Sequence, residues 1–349
     1  MNIGIIGLGL IGGSLGRAIK EKTAHRVFGF DINPAVEDKA ELLNAIDERL
    51  FWRTRGEISE KNQCVSGLLR SEKARDNSNS EIDMKPRELL NSEKKQDALD
   101  LLQSDGGACF GGNAGELDML IYAVTPKNFI GAGGIRSIIG FLKKDAVVLD
   151  AAGTKAAAVS EMKRLAEEYP GVEFVAAHPM AGKEFSGVDY SSPSLFERAS
   201  VLVVPVRAEI ETLVRVKKFF SEIGFDYVRF TTADEHDRII AYTSQLPHVL
   251  SSCYIGSPTA EFHSGFSAGS FRDLSRVARM SAPMWTELFT ENRVNLLSEL
   301  DGMIFRLNEM RNLIASNDAE GLTNVLQKNS DKKEAIDKAD RAWKKKNKE

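Results

Sequence analysis

Apolar and polar positions follow two regimes along the chain. Up to about residue 231, short apolar runs end in loops and alternate with stretches of helical period; beyond it the helical period prevails. The runs are "NIGII" (2–6), "RVFGFD" (26–31), "DMLIYAV" (118–124), "DAVVLDAA" (145–152) and "VEFVAAHP" (172–179). Apolar runs separated by helical stretches such as "PAVEDKAELLNA" predict an α/β chain with parallel strands. Residues 1–231 are expected to form this domain and 232–349 an all-helical one. In the second, the stripe Leu296, Leu297, Leu300, Ile304 and Leu307 needs a helical partner. The closing "DKKEAIDKADRAWKKKNKE" reads as a charged amphipathic or frayed tail.

The first run leads directly into "GLGLIGGSLGRAIKE". Gly7, Gly9 and Gly12 fall on G-x-G-x-x-G: the first permits a tight turn, the second a close approach of pyrophosphate, the third close helix–strand packing. Leu10 and Ile11 then open a helix whose free N–H groups face that phosphate. The second run ends at Asp31, near the offset at which an acidic residue accepts hydrogen bonds from the adenosine ribose. A solvated aspartate ending a strand is the plainer alternative. A carboxylate here repels a 2′-phosphate, and Ile32 and Asn33 supply no arginine to hold one, so NAD is favoured over NADP. The first domain is therefore expected to be a Rossmann-type doubly wound sheet. Ligands bind such sheets beyond the carboxyl ends of the strands. Ala123, Val124 and Thr125, the Gly153-Thr154-Lys155 turn and His178 all fall there.

About sixty mostly polar residues, from about Phe51 to Gly115, interrupt the sheet pattern. This is far longer than an ordinary connection. Only "RELLNSEKKQDALDLLQ" in it looks helical. A surface excursion is the simplest reading; a lid over the cofactor or a subunit contact are the others.

Composition narrows the classes. The 349 residues are 42% hydrophobic and 28% charged, enough for a core in each of two domains. A net charge of −4 leaves no basic excess for a phosphate backbone, so no nucleic-acid partner is expected. No run approaches the roughly 18 apolar residues of a membrane span, and the start lacks the basic region of a signal peptide. A cytoplasmic protein is expected. Cys64, Cys109 and Cys253 fit neither a disulfide framework nor a metal site, and Cys253 is expected in the core. No histidine pair has a convincing zinc spacing.

His178 closes a strand just before a Pro-Met-Ala-Gly turn. A histidine fixed there reaches a ligand in the cofactor crevice, and its imidazole exchanges a proton near neutral pH, as oxidation of a C–OH requires. A histidine that merely ends its strand is the alternative. His236 is read as structural, near a helix start capped by Thr232 or Asp234. His25 is read as a surface residue, and His263 as part of a turn. In "SFRDLSRVAR", Arg272, Arg276 and Arg279 at i, i+4 and i+7 would share one helix face.

With the glycine fingerprint, "AVTP", "DAAGTK" and "HPMAGKEFSG" in this order, followed by "TTADEHDRIIAYTSQLPHVL", "SAGSFRDLSRVA" and "PMWTELFTENR", the sequence resembles the prephenate dehydrogenase family, which includes arogenate and cyclohexadienyl dehydrogenases. The resemblance spans almost the whole chain except the interruption and the last few dozen residues. It implies NAD-dependent oxidative decarboxylation of prephenate to 4-hydroxyphenylpyruvate in tyrosine biosynthesis, or of arogenate to tyrosine. It further implies a homodimer formed through the helical domain. His178 matches the family's catalytic histidine and Arg276 its substrate arginine, with Asp273 as an orienter. Glu184, Lys183, Gln245, Gly269, Trp285 and Thr154 fall at or beside substrate positions, and Trp285 reads equally well as core.

Three departures bear on the substrate. Gly153 stands where many members carry serine, Gln245 where a histidine is frequent, with His248 kept, and Lys183 where threonine is common. Two other readings compete. A 3-hydroxyacid dehydrogenase or ketopantoate reductase would rely on a helical-domain lysine, and a nucleotide-sensing protein would keep the fold without turnover.

Overall fold

The computed structural model describes residues 1–50, 52–54, 108–110, 113–131 and 133–347. The chain starts as its pattern predicts. Strand β1 (Asn2–Ile6) is buried from its second residue, and α1 (Leu10–Lys22) follows after a three-residue turn. Next come β2 (Arg26–Phe30), α2 (Pro34–Leu42) with Asn33 as its cap, and a two-residue strand β3 (Glu48–Arg49). Strands β4 (Trp52–Thr54) and β5 (Ala108–Phe110) then pair antiparallel in a separate ribbon. They bracket the polar interruption; its remainder, including the expected helical stretch, lies outside the described residues.

The sheet resumes with β6 (Met119–Tyr122), followed by α3 (Pro126–Ile130), β7 (Val147–Asp150), α4 (Ala156–Glu168) and β8 (Glu173–Pro179). Two elements with no forecast of their own complete it: β9 (Ser200–Arg207) and, after α5 (Ile210–Glu222), β10 (Tyr227–Phe230). The strand order is β10-β9-β8-β7-β6-β1-β2-β3. Every pairing is parallel except β8 with β9. The order reverses between β1 and β6, which opens a crevice beyond their carboxyl ends. Apolar side chains fill both faces: Leu15, Ile19 and Phe219 lie against one, Phe129, Met162 and Leu165 against the other. This is the doubly wound arrangement.

From Ala233 the chain is helical: α6 (Ala233–Ile240), a π-helical turn over Ala241–Gln245, α7 (Leu246–Ile255), α8 (Gly269–Ser275), α9 (Ala282–Glu291), α10 (Arg293–Ala315) and α11 (Ala319–Lys346). Pro247, at the head of α7, lacks the N–H that would continue the ladder, which fits the π turn just before it. Of the α10 stripe only Leu296 is buried; Leu297, Ile304 and Leu307 are each more than half exposed in the single chain. The tail is ordered helix, and Trp343 packs its ring 5.2 Å from Tyr227. Cys253 is exposed, contrary to expectation, because the last turn of α7, Ser252 to Ile255, faces solvent in the single chain. No helix among the described residues is long and apolar enough to cross a membrane.

Candidate active site

The glycine turn is built for a closely approaching ligand. Gly7 has φ +86°, a left-handed conformation that glycine adopts without strain. A Cβ on Gly12 would sit 1.8 Å from the Gly7 carbonyl oxygen, so only glycine lets α1 approach β1 this closely. A Cβ on Gly9 would meet nothing within 4 Å: this backbone faces open space. No side chain caps α1, whose first intrahelical bond is Gly13 N–H to Gly9 O at 2.9 Å, leaving the amides of Leu10, Ile11 and Gly12 at the helix mouth. Ala123 and Val124 wall the other side of the turn against Gly7, and Thr125 heads α3. These residues fit a dinucleotide pyrophosphate.

Asp31 closes the far end. Its carboxylate accepts from Leu8 N–H at 2.9 Å and Asn33 N–H at 3.0 Å, one bond to each oxygen, which leaves acceptor capacity on both. Behind it Glu37 takes the Asp31 N–H at 3.1 Å; burial pushes this carboxyl up to about 7. Arg49, which reaches Glu37, is held by that carboxyl and by Asp38 and Glu41. The ribose end is thus acidic, and its arginine is engaged.

Three strands along the sheet from β1, His178 stands half-buried at the end of β8. Its Nδ1 lies 2.9 Å from Nε2 of His236, whose Nδ1 lies 2.7 Å from Asp237 Oδ1. His236, read from the sequence as structural, is brought by α6 into contact with His178. Asp237 also accepts from the backbone N–H groups of Lys155 (2.8 Å) and Ala156 (2.9 Å). Thr232 supplies the α6 cap, accepting from Glu235 N–H. Beneath the pair, fully buried Lys155 donates to Asp150 and to the Ala177 carbonyl. Burial, then His236, then Lys155 hold the His178 imidazole well below its ordinary range, so it is neutral at pH 7.

The second half of the site comes from the helical domain. A Cβ on Gly153 would meet Leu288 Cδ2 at 3.2 Å and His178 Nε2 at 3.9 Å, so α9 fills with a leucine the space next to the imidazole. Three residues along α9, Glu291 accepts from the Thr154 hydroxyl at 2.6 Å. Three residues back, Trp285 stacks on His248 at 3.7 Å; burial lowers that imidazole, and the nearby Arg276 adds to the effect. Arg276 pairs with Glu184 at 3.3 Å. Trp285, Leu288 and Glu291 share one face of α9 and so join the Arg276 cluster to the His178 cluster.

Other candidate residues make bonds within the protein. Gln245 is 2% exposed; its amide donates to the Leu288 carbonyl and accepts from Asn292, tying the π turn to α9. Lys183 points its ammonium at the Tyr190 carbonyl, 2.7 Å away, on the surface. Thr154 is buried, with its hydroxyl engaged by Glu291. The three arginines do not share a helix face: α8 ends at Ser275 and a 3-10 turn carries Arg276, while Arg279 stacks on Phe185 at 4.7 Å. Gly269 heads α8, with Asp273 one turn on. Leu288, Glu291, Asn292 and Asp237 went unforeseen. Only Asp237, beside a histidine in a capped first turn, left a local trace in the sequence.

A glycine-rich sheet crevice facing a helical domain defines a nucleotide-binding protein of Rossmann type. Family models match both halves: "Prephenate dehydrogenase, nucleotide-binding domain" over residues 111–228 and "Prephenate dehydrogenase, dimerization domain" over 232–328. The chain belongs to the prephenate dehydrogenase family. It is 34% identical over 188 residues to a cyclohexadienyl dehydrogenase of Zymomonas mobilis, a match covering 52% of this chain and 63% of that one. The chain spans 46% to 63% of the length of the curated relatives it matches. In fold it is similar to the prephenate dehydrogenase of A. aeolicus solved in complex with hydroxyphenyl propionate and NAD+ (TM-score 0.68, 23% identity, 96% of this chain and 98% of that one). It is similar also to the arogenate dehydrogenase of Synechocystis (TM-score 0.64, 21% identity, 96% and 100%).

Proposed function

We propose that the chain is an NAD-dependent dehydrogenase that oxidatively decarboxylates prephenate to 4-hydroxyphenylpyruvate, the step that commits the ring to tyrosine. The observation that carries this reading is His178: a neutral imidazole at a strand end with Nε2 turned toward the Gly153 side, where α9 closes the site. Bound NAD would take hydride from the ring carbon that bears the hydroxyl. Gly7, Gly9 and Gly12 let its pyrophosphate reach the α1 amides, and Asp31 accepts from its ribose. The engaged Arg49 and the carboxylates around it favour NAD over NADP.

His178 accepts the proton of the ring hydroxyl as carbonyl character develops, a role that typically contributes about 10²- to 10⁴-fold. Arg276, oriented by Glu184, presents its remaining guanidinium donors to a substrate carboxylate, and a planar fork suits this better than lysine. The stacked His248 and Trp285 form a flat wall for the ring. Two copies pair through the helical domain, covering the apolar faces of α10 and α11 that a single chain leaves bare.

The test is NADH formation at 340 nm with prephenate and arogenate side by side, for wild type and His178→Asn. Turnover of prephenate that falls by at least 10²-fold in the variant is expected. Turnover of arogenate alone would move the assignment to arogenate dehydrogenase, and NAD binding without turnover of either would make this a nucleotide-sensing protein.

A further inference from the structure

The bonds joining His178, His236 and Asp237 admit one arrangement of protons when both rings are neutral. Asp237 receives two backbone N–H groups, which hold its carboxylate ionised and acceptor-only. Nδ1 of His236, 2.7 Å away, must therefore carry the hydrogen, which leaves Nε2 of that ring with a lone pair. Across the 2.9 Å contact, Nδ1 of His178 must then donate. The lone pair of His178 is thereby placed on Nε2, the nitrogen nearest Gly153.

We propose that His236 and Asp237 are positioning residues that lock His178 in the one tautomer able to take a proton at Nε2, and that they receive the charge His178 gains. The inference rests on the oxidoreductase reading above and adds a part to it. As the substrate O–H bond breaks, its proton joins Nε2 of His178. The Nδ1 proton of His178 crosses to Nε2 of His236, and the positive charge comes to rest beside ionised Asp237. No atom is lost in this exchange: one proton enters the pair and one charge moves inward by a residue.

The surroundings suit a short-lived charge. Lys155, facing both rings from the turn after β7, opposes it, while Asp150 offsets that lysine and Asp237 attracts the proton. Burial keeps both rings neutral at rest. Asp237 also lines, with Asp234, Glu235, Arg238 and Glu291, an open cleft of about 460 Å³, so the inner end of the relay meets water-accessible space. The arrangement follows the logic by which a buried carboxylate sets the tautomer of a catalytic histidine in hydrolases, with a second imidazole inserted between the two.

Two measurements test this. Histidine ¹⁵N NMR of the wild-type protein without substrate, with His178→Asn used to assign the signal, is expected to show His178 protonated at Nδ1 and bare at Nε2 at pH 7.5. A His178 signal from the opposite tautomer overturns the proposal whatever the enzyme's substrate proves to be. His236→Phe keeps a ring but removes both bonds. It is expected to lower kcat about 10²-fold with KM for substrate and NAD within about threefold, and to displace the acid limb of the kcat profile. An unchanged kcat and limb, or a loss confined to KM, would assign His236 to packing alone. Absence of wild-type turnover with prephenate and arogenate refutes the oxidoreductase reading, while the tautomer measurement still decides the proton arrangement.

Discussion

Lys155→Met tests the ion pair beneath the site. Lys155 and Asp150 are both 0% exposed, and the ammonium also donates to the Ala177 carbonyl at 2.6 Å. Methionine keeps most of the side-chain volume and deletes the charge, so Asp150 is left ionised in the core with only the Ala152 N–H at 3.0 Å to answer it. Breaking a buried pair from one side costs about 3–5 kcal/mol, chiefly because an uncompensated charge stays buried. At about 2–4 °C per kcal/mol for a domain of 150–250 residues, the melting temperature should fall by roughly 6–20 °C. The double variant Asp150→Asn/Lys155→Met removes the stranded charge and should recover more than half of that loss. Urea unfolding followed by circular dichroism measures both. A single variant within about 1 kcal/mol of wild type, or a double variant no more stable than the single, would refute this reasoning. Because the Lys155 charge helps hold His178 low, the surviving activity of Lys155→Met should show its acid limb at higher pH.

Two further outcomes follow from the geometry. Glu37 has a carboxyl raised to about 7 by burial, so the folded state holds its proton more tightly than the unfolded chain does; stability contributed by this group is complete near pH 4.5 and is lost as pH rises through about 7. Thermal melts of Glu37→Gln between pH 5 and 8 should therefore decline less with pH than those of wild type, and an equal slope would refute the assignment. Leu297→Glu combined with Ile304→Glu places two charges on the bare face of α10 and should shift sedimentation from dimer to monomer, whereas a wild type already monomeric at micromolar concentration would remove the proposed interface.

Much of the nucleotide-binding half was legible because its signals are local. The strand, glycine turn and helix at residues 2–22, the end of β2 at Asp31 and the end of β8 at His178 each follow from a handful of adjacent residues. The orientation of β9 was not legible, since an apolar run reads alike whichever way it pairs. Contacts between distant residues were hidden for the same reason: His178 and His236 lie 58 positions apart, and Gln245 meets Leu288 across 43. The arginine face failed because i, i+4, i+7 spacing assumes a continuous α-helix, and the ladder changes at Arg276. Cys253 was placed in a core on composition alone, although the last turn of α7, where it lies, is exposed in the single chain.

The ribbon of β4 and β5 also bears on how the protein could be engineered. Trp52 pairs with Phe110 and Thr54 with Ala108, so the chain leaves and rejoins the domain at neighbouring points. Its departure follows β3, an edge strand, five strand positions from β8 and therefore roughly 24 Å from the strand that carries His178 at about 4.8 Å per step. A reporter protein or affinity module joined at Thr54 and Ala108 would be carried by this ribbon, its two ends held side by side.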